Sequence, residues 1–191
     1  MLGQVNLLIH YANFASPVGP WLVAASPNGL VRLDFARPRP QREGMPSRAT
    51  AARRANVLAN AVESVEELEP YLAQLREYFA AGRREFTLPL DLHGTEFQRR
   101  CWRALLEIPY GETCTYAQLA RAVGSPNGFR AVGAANGANP ISIVVPCHRV
   151  IASDGTLGGY GGGLAVKEQL LRLEGAWPLS AGQLNLNDQP S

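Results

Sequence analysis

Residues 115–150 read TYAQLARAVGSPNGFRAVGAANGANPISIVVPCHRV. This stretch decides how the second half of the chain folds. Thr115 can cap a short helix, TYAQLARAVG, which Gly124 ends. Ser125-Pro126 then offers a cap and a first-turn proline for another helix over roughly residues 127–137. Two short helices joined by a few residues around a glycine predict a helix-turn-helix. The apolar run ISIVV follows, with the look of a core strand. Pro146 must end it, because proline fixes its own backbone angle and has no N–H for a ladder. That leaves Cys147 at a structural edge, where a pocket can open, with His148 and Arg149 beside it to favour thiolate over thiol. Neighbours in an extended chain point to opposite faces, so contact between thiol and imidazole needs a turn or a bridging water. Glu174, near the end of the last helix, is a candidate to orient the imidazole. A lone buried cysteine is commonly inert packing, and the residues alone leave both readings of Cys147 open.

Outward from this stretch the punctuation is clear. Thr95-Glu-Phe-Gln98 is a capping-box pattern, and Phe97, Cys101, Leu105 and Ile108 behind it share one helical face until Pro109 and Gly111. Cys101 on that stripe reads as packing. Cys114, expected in a turn, reads the same way. Downstream, IASDGTLGGYGGG is glycine-dense, and LAVKEQLLRLEG predicts a closing helix with Val166, Leu170 and Leu173 inward and Gly175 at its C-terminal end. The last residues, SAGQLNLNDQPS, carry no core pattern.

The first half reads differently. Residues 5–35 are rich in branched and aromatic side chains, and Asn28-Gly29 between apolar runs signals a hairpin. Residues 36–56 are Pro- and Arg-rich without periodicity, which predicts a mobile, solvated loop. Leu68, Leu72, Leu75 and Phe79 recur at helical steps over residues 65–80, and FTLPLDLHG reads as a short extended segment. The expected fold class is α+β. Residues 1–91 would form a domain with a small antiparallel sheet and a helix. Residues 92–178 would form a mostly helical domain with the helix-turn-helix, followed by a tail, 179–191.

Composition narrows the function classes. With 46% hydrophobic and 18% charged residues among 191, the chain can bury a core and is not a disordered polymer. A formal charge of +2 neither requires nor forbids nucleic acid. Three cysteines cannot all pair, and no CxxC spacing exists, which argues against a disulfide framework or a structural zinc cluster and suits a cytoplasmic location. MLGQVNLLIHYANF has no basic segment ahead of its apolar run and reads as a strand, not a signal peptide. No stretch is long and apolar enough to span a bilayer, so no membrane partner is expected.

Five ordered blocks make the second half more specific. IPYGETCTYAQLA, then Arg130-Ala-Val-Gly133, Asn139-Pro140, Val145-Pro-Cys-His-Arg-Val150 and Gly159-Tyr160-Gly-Gly-Gly-Leu-Ala-Val-Lys-Glu168 resemble the O6-alkylguanine-DNA alkyltransferases over about residues 92–175. The resemblance implies direct repair of double-stranded DNA: an alkylated guanine is extruded through the minor groove, and its O6 alkyl group moves irreversibly to a cysteine, once per protein. O4-alkylthymine is a second candidate substrate. In this likeness Cys147 is the acceptor, His148 the water-bridged base, and Glu174 its orienting carboxylate. Tyr116 serves the guanine ring nitrogen as charge develops there. Arg130 enters the base stack, and Asn139 links the reading helix to the active-site segment. Tyr160 and Gly161 belong to the pocket wall, Val150 reads the guanine edge, and Lys167 is a charged neighbour, although it also fits a helix surface. Ala131 and Gly133 keep the reading helix slim enough for the narrow minor groove. The implied protein is a monomer with cooperative binding on DNA as an option.

Two departures stand out. No cysteine precedes Cys101, so the zinc site of some relatives is not expected, and neither a metal nor a cofactor is implied. Gly161 stands where some relatives carry serine. Three other readings compete: a non-catalytic reader of alkylated DNA, a helix-turn-helix regulator, and a cysteine hydrolase. The presence of Cys147 disfavours the first. The mostly Ala and Gly reading helix disfavours the second. Repeated turnover would mark the third.

Overall fold

A computed structural model describes residues 8–35 and 59–178. The whole Arg/Pro-rich segment and the whole C-terminal tail, on which the loop and tail expectations fall, lie outside the described residues. The chain divides into two compact units: residues 1–93 with Pro140–Ser142, and residues 94–139 with 143–191.

The first unit is built on a sheet. Strands β1 (Ile9–Ser16), β2 (Gly19–Ser26) and β3 (Gly29–Phe35) form an antiparallel meander. A fourth, β4 (Ala61–Glu63), pairs in parallel with β1, giving the order β3-β2-β1-β4. This parallel edge was not visible in the sequence, because three residues are too few to show an alternation. Phe14, Trp21 and Phe35 are cross-strand partners and so share one face. Helix α1 (Val65–Phe79) covers that face, with Phe79 stacked 6.0 Å from Phe14. It starts at Ser64, whose hydroxyl accepts from Glu67 N, and buries Leu68, Leu72, Leu75 and Tyr78. Tyr78, not Phe79, takes the last fully buried position. Each such side chain contributes about 1.5–3 kcal/mol.

The free edge of β3 is covered twice. Leu30 pairs with the FTLPLDLHG segment, donating to Pro89 O at 2.8 Å and accepting from Asp91 N at 2.9 Å. A Cβ on Gly29 would lie 2.5 Å from Pro89 O, so only glycine permits this approach. Further along, Leu33 donates to Pro140 O at 3.0 Å and accepts from Ser142 N at 2.8 Å. Covering an edge in this way removes a template for unwanted pairing.

The second unit is mostly helical. Helices α2 (Glu96–Leu106) and α3 (Tyr116–Ala122) both open on capping boxes, Thr95 with Gln98 and Thr115 with Gln118. Helix α4 (Phe129–Gly137) follows α3 after a turn. It begins later than its sequence suggested, with Gly128 at the cap position and no side-chain cap. Ser125-Pro126 does not start the helix. It opens a turn that Gly128 N closes on Ser125 O at 2.7 Å, with the serine hydroxyl pressed where a Gly128 side chain would be. Trp102 of α2 ties α4 down, donating from Nε1 to Ala135 O at 2.9 Å. Helix α5 (Leu164–Leu173) closes the unit and buries Val166, Lys167, Leu170 and Leu171.

Two expectations fail here. Cys114 is not in a turn: it forms β5 (Cys114–Thr115), paired in parallel with β6 (Val150–Ile151). ISIVV is buried as expected but is not a regular strand. Ile143 sits at φ 72°, a left-handed conformation that a β-branched residue rarely adopts. Asn139 bridges the reversal, donating from Nδ2 to Val145 O at 2.7 Å. Among the described residues no helix is long and apolar enough to cross a membrane.

Candidate active site

The segment after that reversal delivers Cys147 into a single 3-10 turn, Cys147–Arg149, all three residues of which are buried. The turn resolves the adjacency problem: helical backbone brings Cys147 and His148 onto neighbouring, not opposite, directions. Cys147 is 5% exposed. A thiolate there is poorly hydrated and depends on what surrounds it.

Behind the turn lies a buried charge network. Glu174, the C-cap residue of α5, is reached by His148 Nε2 at 2.8 Å. Arg149 grips the same carboxylate in two places, Nε to Oε2 at 2.8 Å and a terminal nitrogen to Oε1 at 3.0 Å, and donates again to Ile108 O at 2.6 Å. This is the strong, forked form of an ion pair. Burial alone would raise the Glu174 carboxyl, but His148 and Arg149 outweigh it and hold the group at about 2. Burial pushes the His148 imidazole below its ordinary value. Glu174 opposes that, while Arg149 and Lys167 add to it. At neutral pH the pair is therefore carboxylate and neutral imidazole. The carboxylate fixes the tautomer: the proton sits on Nε2, and the lone pair is on Nδ1. Nδ1 is buried and has no protein hydrogen-bond partner. The arrangement is an oriented base next to a thiol.

Arg149 thus differs from its sequence reading. It binds Glu174 and the backbone, so its first task is to hold the orienting carboxylate. Lys167 is a cation near enough to Cys147 for their charges to interact. It is fully buried, not on a helix surface, and its Nζ donates to Val150 O and Leu157 O. Burial lowers its pKa to about 8, and attraction to Cys147 pulls it back up. The attraction is mutual, so the ammonium favours a thiolate at Cys147.

Tyr116, the first residue of α3, borders the same place. Burial raises its hydroxyl pKa, the negative charge of Cys147 raises it further, and a hydrogen bond from Asn136 pulls it down. The hydroxyl stays protonated and can donate. Asn136 also donates to Cys147 O at 3.4 Å. Gly158, at φ 65°, passes so close to the tyrosine ring that a Cβ would sit 3.2 Å from Cε2. Asn136 and Gly158 are site residues that the sequence reasoning missed. Asn136 had a weak signal: it lies one turn before Asn139, at the end of the same helix.

The other expected residues separate by exposure. Val150 is buried beside the site, and its carbonyl is held by Lys167. Tyr160 is half-buried, and Gly161 is exposed with open space where a side chain would be. Arg130 and Ala131 are exposed on α4, while Gly133 faces Tyr116, its would-be Cβ 3.9 Å from the ring. No group of three His, Cys, Asp or Glu side chains among the described residues is placed to hold a metal ion.

Comparison with known proteins adds to this geometry. Residues 9–92 match the family model for the 6-O-methylguanine DNA methyltransferase ribonuclease-like domain, and residues 96–176 match the model for the DNA binding domain. A methylated-DNA–protein-cysteine methyltransferase of Methanosarcina barkeri is 43% identical over 87% of this chain and 97% of the relative. One of the same name from Mycobacterium tuberculosis is 44% identical over 87% of this chain and 93% of its own. The crystal structure of the M. tuberculosis OGT in complex with DNA superposes with a TM-score of 0.74 at 41% identity, covering 87% of this chain and 93% of that one.

Proposed function

This chain belongs to the 6-O-methylguanine DNA methyltransferase family and repairs alkylated DNA by transfer of the alkyl group to a cysteine; we propose that Cys147 is that cysteine. The observation that carries the assignment is the buried line Glu174–His148 with a free Nδ1 one residue from the thiol. Cys101 and Cys114 have no such neighbour.

The protein binds DNA. Its substrate is double-stranded DNA holding O6-alkylguanine, with the base swung out past α4 into the space beside Cys147. His148 Nδ1 takes the thiol proton through a water molecule, and Glu174 steadies the imidazolium. The thiolate, favoured by Lys167, displaces guanine at the saturated alkyl carbon: an S–C bond forms as the C–O6 bond breaks. Tyr116 donates to the guanine ring as negative charge builds there. Arg130 fills the gap in the stack, and Val150, Tyr160, Gly161, Gly133 and Ala131 shape the space around the base. Extrusion costs a few kcal/mol, less for a damaged base than for a sound one. The thioether has no leaving group, so each protein acts once. O4-alkylthymine belongs to the same chemical class. The protein works as a monomer in the cytoplasm, cooperative binding along DNA being a further expectation. Residues 92–178 carry the chemistry and the DNA contact, and residues 1–91 form a separate sheet-and-helix domain.

Single-turnover transfer from a duplex carrying labelled O6-methylguanine tests this. One methyl group per protein, with no further release, is expected. Methyl loss from DNA beyond one equivalent would replace the reading with a hydrolytic one, and tight binding without methyl transfer would replace it with a non-catalytic reader.

A further inference from the structure

Helix α4 exposes Phe129, Arg130, Ala131, Ala134 and Gly137. Only the first two are large, and they stand together at its N-terminal end. Phe129 is 53% exposed, an aromatic residue with about half its surface in water on the face that the proposed function lays against DNA. Helical geometry fixes its direction. Phe129 lies one turn before Gly133 and two before Asn136 on the same stripe. Gly133 and Asn136 are the α4 residues that meet Tyr116. The ring therefore stands at the outer end of the stripe that leads to the candidate active site, next to Arg130.

We propose that Phe129 is a DNA-contacting wedge: its ring packs against the base step that loses its guanine and, with Arg130, holds that step open. This rests on the functional reading above and assigns it a second residue at the gap. The physics is general. Apolar side chains entering the minor groove unstack a base step, and a base gains by stacking on an aromatic face whatever its identity. Arg130 supplies charge and hydrogen-bond donors. Phe129 supplies apolar surface that the rest of this slim helix lacks.

Single-turnover transfer to Phe129→Ala and Phe129→Trp tests the idea on three substrates: an O6-methylguanine duplex, the same oligonucleotide single-stranded, and free O6-benzylguanine. Phe129→Ala should slow the duplex reaction by about tenfold, the size of one lost stacking contact. Its rates on the single strand and the free base should stay within about twofold, because neither has a step to hold open. Phe129→Trp should restore the duplex rate. An equal loss on all three substrates, or no loss on the duplex, would overturn the proposal. If the wild-type protein alkylates no cysteine with any substrate, it is the functional reading that has failed. Matching thermal melts of the variants separate either result from misfolding.

Discussion

The 3-10 turn at Cys147–Arg149 and the outer face of α4 are built from opposite materials. The turn is polar and buried: an imidazole, a guanidinium and a carboxylate share one hydrogen-bonded network. The α4 face is exposed and nearly bare, three of its five outer residues being alanine or glycine. The difference separates reacting from reaching. Under the proposed function, groups in the turn act by being desolvated and held in place, and groups on α4 act by leaving room and by two large side chains at one end. On that reading a duplex needs both regions, whereas a free alkylated base needs only the turn. Variants of the turn should fail on both substrates and variants of α4 on duplex alone.

The largest effect should come from Cys147→Ser, which removes the soft nucleophile and should abolish transfer from duplex and free base alike; residual transfer in a single-turnover assay would break the comparison at its root. Next is Glu174→Ala. It strands Arg149 and frees the imidazole, and loss of one partner from a buried ion pair costs about 3–5 kcal/mol. Urea unfolding should show that loss, and transfer should slow on both substrates. Glu174→Gln, which keeps the size and one acceptor, should lose less stability. Wild-type stability for Glu174→Ala would contradict the network.

Acid sharpens the same point. Glu174 is held at about 2 in the fold against 4.5 in a free chain. Its stabilisation is complete above about pH 4.5 and disappears as pH falls towards 2, a span worth roughly 3 kcal/mol. His148 works in the same direction: burial lowers its pKa, so the unfolded chain takes up that proton first as pH drops below about 6.5. Urea midpoints at pH 7, 5 and 3 should fall steadily, and between pH 5 and pH 3 less steeply in Glu174→Gln, which lacks the carboxylate that titrates there. Parallel slopes for the two proteins would remove Glu174 from the account. A smaller effect is expected at Arg130: truncation to alanine should slow the duplex reaction by about tenfold and leave the free base untouched. Equal slowing on both would join the two regions that the comparison separates. The smallest should be Arg172→Ala. It breaks an exposed pair with Glu168 on α5 and should shift stability by no more than about 0.5 kcal/mol.

Much of this was legible in the sequence, for identifiable reasons. The capping boxes at Thr95 and Thr115 are local chemistry, readable at four residues' range. The β2–β3 hairpin was announced by Asn28-Gly29, and the apolar stripe of α1 by its period. Cys147, His148 and Glu174 stood out through a family resemblance that no single spacing could have supplied. What stayed hidden depends on contacts between distant segments. The three-residue β4 exists only because β1 offers an edge. ISIVV has the composition of a strand, but Asn139 closes it into a turn that forces Ile143 to a positive φ. Lys167 looks like a surface lysine until the carbonyls of Val150 and Leu157 are seen to receive it. Asn136 and Gly158 matter through Tyr116, and apart from the nearness of Asn136 to Asn139 nothing in their own neighbourhoods points there.

The three cysteines fall in separate tryptic peptides, and residues 131–149 carry Cys147 alone. Peptide masses after reaction with an O6-methylguanine duplex therefore read the acceptor directly. One added methyl on the 131–149 peptide, at one per protein and on no other cysteine, is the expected result. A methyl on Cys101 or Cys114, with the 131–149 peptide unchanged, would contradict the assignment of Cys147.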